Sequence, residues 1–322
     1  MKVGVIGTGA MGKNHARVYS ELDSVELVGI SDKDEKTGKE ISGKHKCRYF
    51  RDYKKLLSRD IDAVSVCVPT SLHYEIGMEV IRHGKNLLIE KPLAENVKKA
   101  KELVEAAEKA GVVLAVGHIE RFNPAVQELK KIIDSGKLGK VTSIIARRVG
   151  LFPPRIKDAN VILDIAVHDI DVFRYLIGKE PQDIHASGGK ALINDREDYA
   201  DIFMKYNGTN GFIEVNWITP VKIRMLNVTG TKGYASLNYI TQALRLHENV
   251  YEKTYDEFGD FVLRFGDSIE ISVDVKKYEP LKAELQNFIS AIRKGGKPLV
   301  TGEDGLEVLK IIERVMKSIE GG

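Results

Sequence analysis

The chain lacks the features that mark several large classes of protein. Its two cysteines, Cys47 and Cys67, show no metal or redox spacing, and its eight histidines are scattered, so we expect no metal site. Basic and acidic residues nearly balance, at 49 and 46, and no basic cluster is interleaved with aromatics, which argues against a nucleic-acid partner. No apolar run approaches membrane-spanning length, and no signal peptide precedes the first strand. The few cysteines fit a reducing cytoplasm, and the short apolar runs predict no membrane partner.

What the chain does have is enough length and apolar content for two domains, with 322 residues of which 43% are hydrophobic. Through residue 118, short apolar runs alternate with amphipathic helices, which predicts a parallel, doubly wound α/β sheet. One helix is read easily, because Asn96 can cap its start and Gly111 can end it. The predicted strands are Val3–Ile6, Leu27–Ser31, Ala63–Val68, Leu87–Ile89 and Val112–Val116.

Beyond about residue 140 the pattern changes to strands separated by turn signals, which predicts an α+β domain with a large, mostly antiparallel sheet. We therefore predict a first domain over 1–118 and a second over 119–322. Two C-terminal helices, after Leu281 and from about Glu303 to Ser318, are candidates to pack back on the first domain. The predicted strands are Val141–Val149, Tyr199–Tyr206, Gly211–Ile218, Ile223–Thr229, Ala235–Tyr239 and Ala243–His247.

The first strand leads into a glycine-rich turn that suits a dinucleotide phosphate. Gly7 permits the tight turn, Gly9 lets the backbone approach a pyrophosphate, and Gly12 lets helix and strand pack closely. The phosphates would lie at the N-terminus of the following helix, where N–H groups and the helix dipole favour anions. The whole predicted phosphate turn is Gly7-Thr8-Gly9-Ala10-Met11-Gly12.

Asp32 ends the second predicted strand, 20 residues after Gly12, where a carboxylate can accept hydrogen bonds from an adenosine ribose. A carboxylate there repels a 2′-phosphate, which favours NAD over NADP as the cofactor. Lys33 follows it and could offset part of that charge. The alternative is that Asp32 is only a solvated turn residue.

Glu90-Lys91-Pro92 follows an apolar strand of the same sheet. Because the carboxyl ends of such strands face the ligand crevice, we expect Lys91 to point toward the nicotinamide. A lysine there can hydrogen-bond a substrate hydroxyl and stabilise an alkoxide as hydride leaves. Pro92 would restrict the backbone, through a cis peptide in one interpretation. The alternative is a surface lysine before a proline that begins a helix.

Asp164 and His168 lie four residues apart in a segment with helical apolar spacing, so we expect them on one helical face. A histidine suits proton abstraction from an alcohol at neutral pH, and Asp164 could orient its ring or relay the proton. The alternative is an ion pair on a helix surface.

Two further polar segments could meet ligands. Gly117–Pro124 is expected to form a hinge between the domains, with Arg121 and Asn123 facing cofactor or substrate and His118 in a structural role. A basic loop around Pro153-Pro154 would suit a phosphorylated or nucleotide-linked substrate, or is simply solvated. Its cations are Arg147, Arg148, Arg155 and Lys157.

Together these motifs resemble the glucose–fructose oxidoreductase and inositol dehydrogenase family (Gfo/Idh/MocA) over nearly the whole chain. The resemblance implies hydride transfer between a sugar-like hydroxyl and NAD(P), with Lys91 and His168 as the catalytic pair and Asp164 in support. It also implies an open sheet that forms a homodimer or homotetramer interface. The implied cofactor-binding set adds Val68, Pro69, Thr70, His73, Glu90, Lys91 and Arg121 to the glycine turn, Asp32 and Lys33. The implied substrate-binding set is Lys91, Arg121, Asn123, Arg148, Arg155, Lys157, Asp164 and His168.

The chain departs from many family members at Asn160 and Ala166, where glycines are common. The segments 117–124 and 164–171 look like the branch that oxidises UDP-N-acetylglucosamine, or its uronic acid, at the 3-hydroxyl. Two alternatives stay open: a free polyol or cyclitol as substrate, and an NAD-binding sensor on the same scaffold that catalyses nothing.

Overall fold

Strands and helices alternate along the first third of the chain, and strands dominate the middle. The computed structural model describes residues 1–152, 159–248 and 269–321, with backbone alone at 251–255 and 261–265. The helices are α1 Gly12–Glu21, α2 Glu35–Lys44, α3 Tyr53–Leu57, α4 His73–Arg82, α5 Val97–Ala110, α6 Pro124–Asp134, α7 Val167–Ile177, α8 Pro280–Lys294 and α9 Gly302–Glu320. The strands of the first third are β1 Lys2–Ile6, β2 Glu26–Ser31, β3 Arg48–Phe50, β4 Ala63–Val66, β5 Asn86–Glu90 and β6 Leu114–Gly117. The remaining strands are β7 Val141–Val149, β8 Asp183–Gly189, β9 Tyr199–Tyr206, β10 Thr209–Asn216, β11 Ile223–Gly230, β12 Gly233–Asn238, β13 Ala243–Glu248, β14 Tyr251–Tyr255, β15 Phe261–Phe265 and β16 Ile269–Val273.

The described residues divide into two compact units. The first holds Met1–Phe122 and Glu279–Glu313, and the second holds Asn123–Tyr278 and Arg314–Gly322. The sequence-based division at residue 118 differs from this one, because it assigned 119–122 and 279–313 to the second domain.

The first unit is built on a six-stranded parallel sheet in the order β3-β2-β1-β4-β5-β6. The order reverses between β1 and β4, and in sheets of this kind ligands bind outside the carboxyl ends of the strands at that point. Strand register brings those ends to one edge, since Ile6 pairs with Ser31 and Val66, and Glu90 pairs with Gly117.

Helix α8 belongs to the first unit because its apolar face completes the core there. Its buried side chains pack in one cluster with residues of β1 and α1, including Val3, Tyr19 and, from α8, Leu285 and Phe288. Thr301 adds a backbone bridge to Ala115 of β6. The C-terminal segment thus supplies core surface that the alternating N-terminal part does not provide for itself.

The second unit is built on an eight-stranded sheet in the order β16-β13-β12-β11-β7-β10-β9-β8. Its strand pairs are antiparallel except β7 with β10, which run parallel. Buried and exposed residues alternate along the central strands, with Ile144 and Ile213 buried and Ile145 and Phe212 exposed at 44% and 41%. One face therefore packs on a core, and the other presents apolar side chains outward.

The predicted fold class, a doubly wound sheet plus an α+β part with a large antiparallel sheet, is confirmed. Strands β7 and β9 have the predicted bounds, and α5 is capped by Asn96 and ended by Gly111 as expected. The sequence analysis missed β3, β8, β14, β15 and β16. Within the described residues, no helix is both long and apolar enough to cross a membrane.

Candidate dinucleotide site and candidate catalytic side chains

The glycine turn between β1 and α1 has the backbone that the motif predicts. Gly7 has φ +86°, and a Cβ there would lie 2.4 Å from the carbonyl oxygen of Cys67. A Cβ on Gly12 would lie 1.8 Å from the carbonyl oxygen of Gly7, so only glycine fits either position. A Cβ on Gly9, in contrast, would meet nothing within 4 Å, which leaves the turn open for a phosphate. These residues fit a bound dinucleotide.

The N-terminus of α1 adds electrostatic support for an anion. Met11 precedes the helix without a side-chain cap within the described part of the chain, and the first turn holds no acidic residue. The first N–H groups of α1 are therefore available to an anion, and the helix dipole favours negative charge at this end.

Asp32 ties the turn to the second strand. Its Oδ2 accepts hydrogen bonds from the backbone N–H and the hydroxyl of Thr8, both at 2.6 Å, and its Oδ1 accepts one from the Asp34 N–H at 2.8 Å. The carboxylate is half-buried and Lys33 is exposed. A carboxylate has about four acceptor positions, so Asp32 keeps capacity for a ribose hydroxyl.

His73 joins two loops at the carboxyl edge of the sheet. It is 1% exposed, and its Nδ1 and Nε2 lie 2.8 and 2.9 Å from the carbonyl oxygens of Pro92 and Val68. Both contacts can be hydrogen bonds only if both ring nitrogens carry protons. Pro69 and Thr70, which are expected to bind cofactor, lie in the chain between Val68 and His73; Pro69 is exposed and Thr70 is half-buried. His73, which the resemblance placed in the cofactor-binding set, thus contacts the backbone of the two loops in this structure.

Lys91 follows the last residue of β5 at the carboxyl edge and is half-buried. The Lys91–Pro92 peptide bond is cis, as in the interpretation from sequence. The Oε2 of Glu90 accepts a hydrogen bond from the Lys91 N–H at 3.3 Å. Glu90, predicted to contact cofactor, is 7% exposed and turns its carboxylate inward.

Asp164 and His168 lie in the second unit on a segment that is not a regular α-helix. Residues Ile162–Ala166 form a π-helical turn that continues into α7, so the expected α-helical spacing does not describe this pair. Both side chains are half-buried. Asn160, at one of the departures from the family pattern, accepts the Leu163 N–H at its Oδ1 and thereby starts the turn. Single π turns of this kind occur frequently at functional sites.

Three residues predicted to contact ligands have other partners in the structure. Arg148 is 4% exposed, forms hydrogen bonds of 2.7 and 3.0 Å to Asp169, and lies over the Tyr239 ring. Arg121 pairs with Asp304 at 3.0 Å, at the start of α9. Each arginine has a carboxylate partner because a buried guanidinium needs one, and their predicted ligand contacts stay predictions.

Asn123 likewise forms hydrogen bonds to backbone groups of its own unit. Its Oδ1 accepts the Ala125 N–H at the start of α6, and its Nδ2 donates to the Tyr239 carbonyl oxygen, with the side chain 2% exposed. The sequence signal was present, since Asn-Pro before an apolar run is a helix start. Arg155 and Lys157 lie outside the described residues.

Sequence reasoning missed His15, which is fully buried in α1 with its Nε2 3.0 Å from Glu90 Oε1. Its spacing with Ala16 and Tyr19 on the buried face of α1 was the available signal. Cys67 lies within 4.8 Å of the His15 and Glu90 ligand atoms, the one group of possible metal ligands found among the described residues. Burial raises the pKa of the Cys67 thiol well above its usual range, so it is poorly suited to bind metal as a thiolate.

Family models match both parts of the chain. Residues 1–118 match the oxidoreductase family with an NAD-binding Rossmann fold, and residues 126–236 match the GFO/IDH/MocA C-terminal domain. The chain belongs to the GFO/IDH/MocA oxidoreductase family. It is accordingly an NAD(P)-dependent oxidoreductase acting on CH–OH groups, as the motifs predicted.

Relatives within the GFO/IDH/MocA family act on sugars and cyclitols. The chain is 30% identical to UDP-N-acetylglucosamine 3-dehydrogenase of Acidithiobacillus ferrooxidans, over 99% of this chain and 97% of that protein. It is 29% identical to myo-inositol 2-dehydrogenase of Thermotoga maritima, over 99% of this chain and 96% of that protein. A solved structure of the Acidithiobacillus ferrooxidans enzyme superposes with a TM-score of 0.87, covering 100% of this chain and 98% of that chain.

Replacing Asp32 should weaken discrimination between the two nicotinamide cofactors. We expect Asp32→Ala to narrow the ratio of kcat/KM for NAD over NADP by about tenfold or more, because a carboxylate near the ribose repels a 2′-phosphate. The ratio is measured from initial rates with each cofactor. Asp34→Ala, which removes the cap of α2 instead, is the control, and an unchanged ratio in Asp32→Ala would show that Asp32 does not contact the ribose.

Proposed function

We propose that the chain is an NAD-dependent dehydrogenase that oxidises a hydroxyl group of a sugar, using NAD in preference to NADP. The observation that carries the proposal is Lys91, half-buried at the carboxyl end of β5, at the same sheet edge as the Gly7–Gly12 turn. Asp32, at the end of the adjoining β2, supports the preference for NAD.

Each proposed catalytic side chain has one task. Bound NAD supplies the hydride acceptor, and the substrate loses hydride from carbon and a proton from oxygen to become a ketone. His168 takes the hydroxyl proton on a ring nitrogen, with Asp164 in support. The ammonium of Lys91 stabilises the charge that develops on the oxygen.

The proposed substrate is a UDP-sugar, oxidised at the 3-hydroxyl of UDP-N-acetylglucosamine or its uronic acid. The similarity to UDP-N-acetylglucosamine 3-dehydrogenase of Acidithiobacillus ferrooxidans over 99% of this chain supports this choice. The inositol dehydrogenases among the relatives support the second candidate, a free polyol or cyclitol. Since Arg148 is paired inside the fold, we do not assign it to a substrate diphosphate.

Substrate and catalytic assignment can be tested together by absorbance of reduced nicotinamide. UDP-N-acetylglucosamine, its uronic acid, myo-inositol and glucose are each added to the protein with NAD. We expect a rise with a UDP-sugar, and a fall in kcat of about 100-fold or more in Lys91→Ala, the size seen when one charge-stabilising donor is lost.

The control is Lys109→Ala, an exposed lysine near the end of α5 that should leave the rate unchanged. A rise with myo-inositol alone would replace the UDP-sugar by the polyol. No turnover with any of the four substrates, in protein shown to bind NAD, would favour the sensor alternative. Unchanged turnover in Lys91→Ala would remove Lys91 from catalysis.

The proposed base predicts how the rate depends on pH. A histidine that is protonated in acid cannot accept a proton, so kcat/KM for oxidation should fall toward low pH. We expect His168→Asn to lose this acidic limb and about 100-fold or more in rate. His83→Asn, at the exposed end of α4, is the control, and a wild-type profile in His168→Asn would remove His168 from this role.

We also propose that the exposed face of the eight-stranded sheet joins copies of this chain into a homodimer or homotetramer. Phe203 and Phe212 pack with ring centroids 5.0 Å apart on this face, beside the exposed Ile145. Arg147 and Glu214 form an ion pair at 2.7 Å on the same strands, as a polar margin. A contiguous exposed apolar patch rimmed by charge is typical of a protein–protein interface.

A charged residue in the exposed apolar patch of the eight-stranded sheet should prevent copies of this chain from associating. We expect Phe212→Glu to sediment as a monomer where the unmodified chain sediments as an oligomer, because a desolvated carboxylate would oppose association. Ile240→Glu, at an exposed residue of the turn between β12 and β13, is the control that should keep the oligomer. A monomeric unmodified chain at micromolar concentration would contradict the proposal.

A further inference from the structure

Glu90, the residue directly before Lys91, forms a buried pair with His15 of α1. The Nε2 of His15 lies 3.0 Å from Glu90 Oε1, with the two side chains 0% and 10% exposed. The other Glu90 oxygen, Oε2, accepts the Lys91 backbone N–H. One carboxylate thus receives a hydrogen bond from the phosphate-side helix α1 and another from the backbone of Lys91.

His15 and Glu90 meet through one ring nitrogen and one carboxylate oxygen. The Nδ1 of His15 is buried with no hydrogen-bond partner among the described residues, so Nε2 is the nitrogen that can donate a proton to Glu90. Burial by itself would raise the pKa of Glu90, but the hydrogen bond and charge of His15, with the charges of Lys91 and His73, hold that pKa below its usual range. Glu90 is therefore an ionised acceptor.

Packing leaves Glu90 little freedom. A Cβ on Gly117, the residue paired with Glu90 in the sheet, would lie 3.0 Å from Oε2 and 3.1 Å from the carboxyl carbon. On the other side of Lys91, the Pro92 carbonyl oxygen lies 2.8 Å from His73 Nδ1. The backbone on both sides of Lys91 is thus held by buried histidines, one through Glu90 and one directly.

We propose that His15 is a positioning residue for Lys91, acting through Glu90. By donating Nε2–H to Oε1, it fixes the carboxylate that holds the Lys91 N–H, and it links the helix at the dinucleotide phosphates to the catalytic lysine. This inference rests on the proposed function, which makes Lys91 the group that stabilises the reacting oxygen. It predicts that losing His15 lowers the rate of the chemical step more than it weakens cofactor binding.

The first experiment compares two variants of His15. His15→Met fills the buried position with an apolar side chain and removes the hydrogen-bond donor, whereas the amide of His15→Gln can still donate to Glu90. We expect kcat to fall about tenfold or more in His15→Met, the effect of a lost hydrogen bond to a charged group. The Kd for NADH, read from nicotinamide fluorescence, should change by less than about threefold, and His15→Gln should recover most of kcat.

The matched control is Tyr19→Phe, one turn along α1. Tyr19 is also fully buried, packs against the His15 ring with centroids 6.4 Å apart, and hydrogen-bonds Ser65 at 2.8 Å, without a bond to Glu90. We expect Tyr19→Phe to lower Tm and to keep kcat within about twofold, because it loosens the same core without touching the link to Lys91.

The double variant His15→Met with Glu90→Gln gives an independent readout. If His15 acts only through Glu90, the double variant should lose no more kcat than the worse single variant, since the two changes break one link. Should His15→Met fail to fold, Glu90→Gln takes its place as the variant that should lower kcat, and His15→Gln remains the one that should keep it.

The inference is wrong if folded His15→Met keeps kcat within about twofold, or if Tyr19→Phe lowers kcat as much. Lys91→Ala, run beside them, separates this from failure of the proposed function. If Lys91→Ala abolishes turnover while His15→Met does not lower it, only the positioning role is lost. If Lys91→Ala turns over normally, Lys91 is removed from catalysis and the positioning role is lost with it. If the unmodified chain binds NAD and turns over none of the substrates, the proposed function itself fails.

Discussion

The close approach of α1 to the Gly7 turn is the constraint on which the first unit depends. A side chain at Gly12 would overlap the Gly7 carbonyl oxygen, and one at Gly7 would overlap the backbone after β4. Without those side chains, α1 lies tightly against the sheet, with its N-terminus at the open side of Gly9. The same closeness brings His15 into reach of Glu90 on β5. One packing condition therefore sets both the phosphate turn and the backbone beside Lys91.

Buried charges organise the chain at several points, and each is held by a partner from a distant segment. Glu90 meets His15 from 75 residues away, Arg121 meets Asp304 from 183 residues away, and Arg148 meets Asp169 from 21 residues away. Such pairs add little net stability compared with apolar packing, but an unpaired buried charge is costly. Their effect is to favour one arrangement of the segments over the alternatives.

Local patterns were read correctly where one physical rule dominates. Strand β9 alternates throughout between core and outside, and β7 alternates from Ile144 to Arg148. Helix α5 carries an asparagine cap and a left-handed glycine end, so the bounds of these elements follow from residue periodicity and capping. Strand β3 has only three residues and β8 has glycines, which leaves too little pattern to detect. At Ile162–Ala166 the apolar spacing predicted an α-helix, but the backbone adopts a π turn.

The sequence by itself determined the alternation of elements, the phosphate turn with Asp32, and the presence of Lys91, Asp164 and His168, because these depend on neighbours close along the chain. The sequence made α8 a candidate to pack on the first domain, and the structure places its apolar face in that core. Only the tertiary structure decided which cations pair with carboxylates inside the fold, and that His15 and His73 hold the segment around Lys91. The physical reason is that a histidine or arginine can bind a ligand only if no residue packed against it already occupies its polar atoms. In this fold that partner comes from a part of the chain that local patterns do not identify.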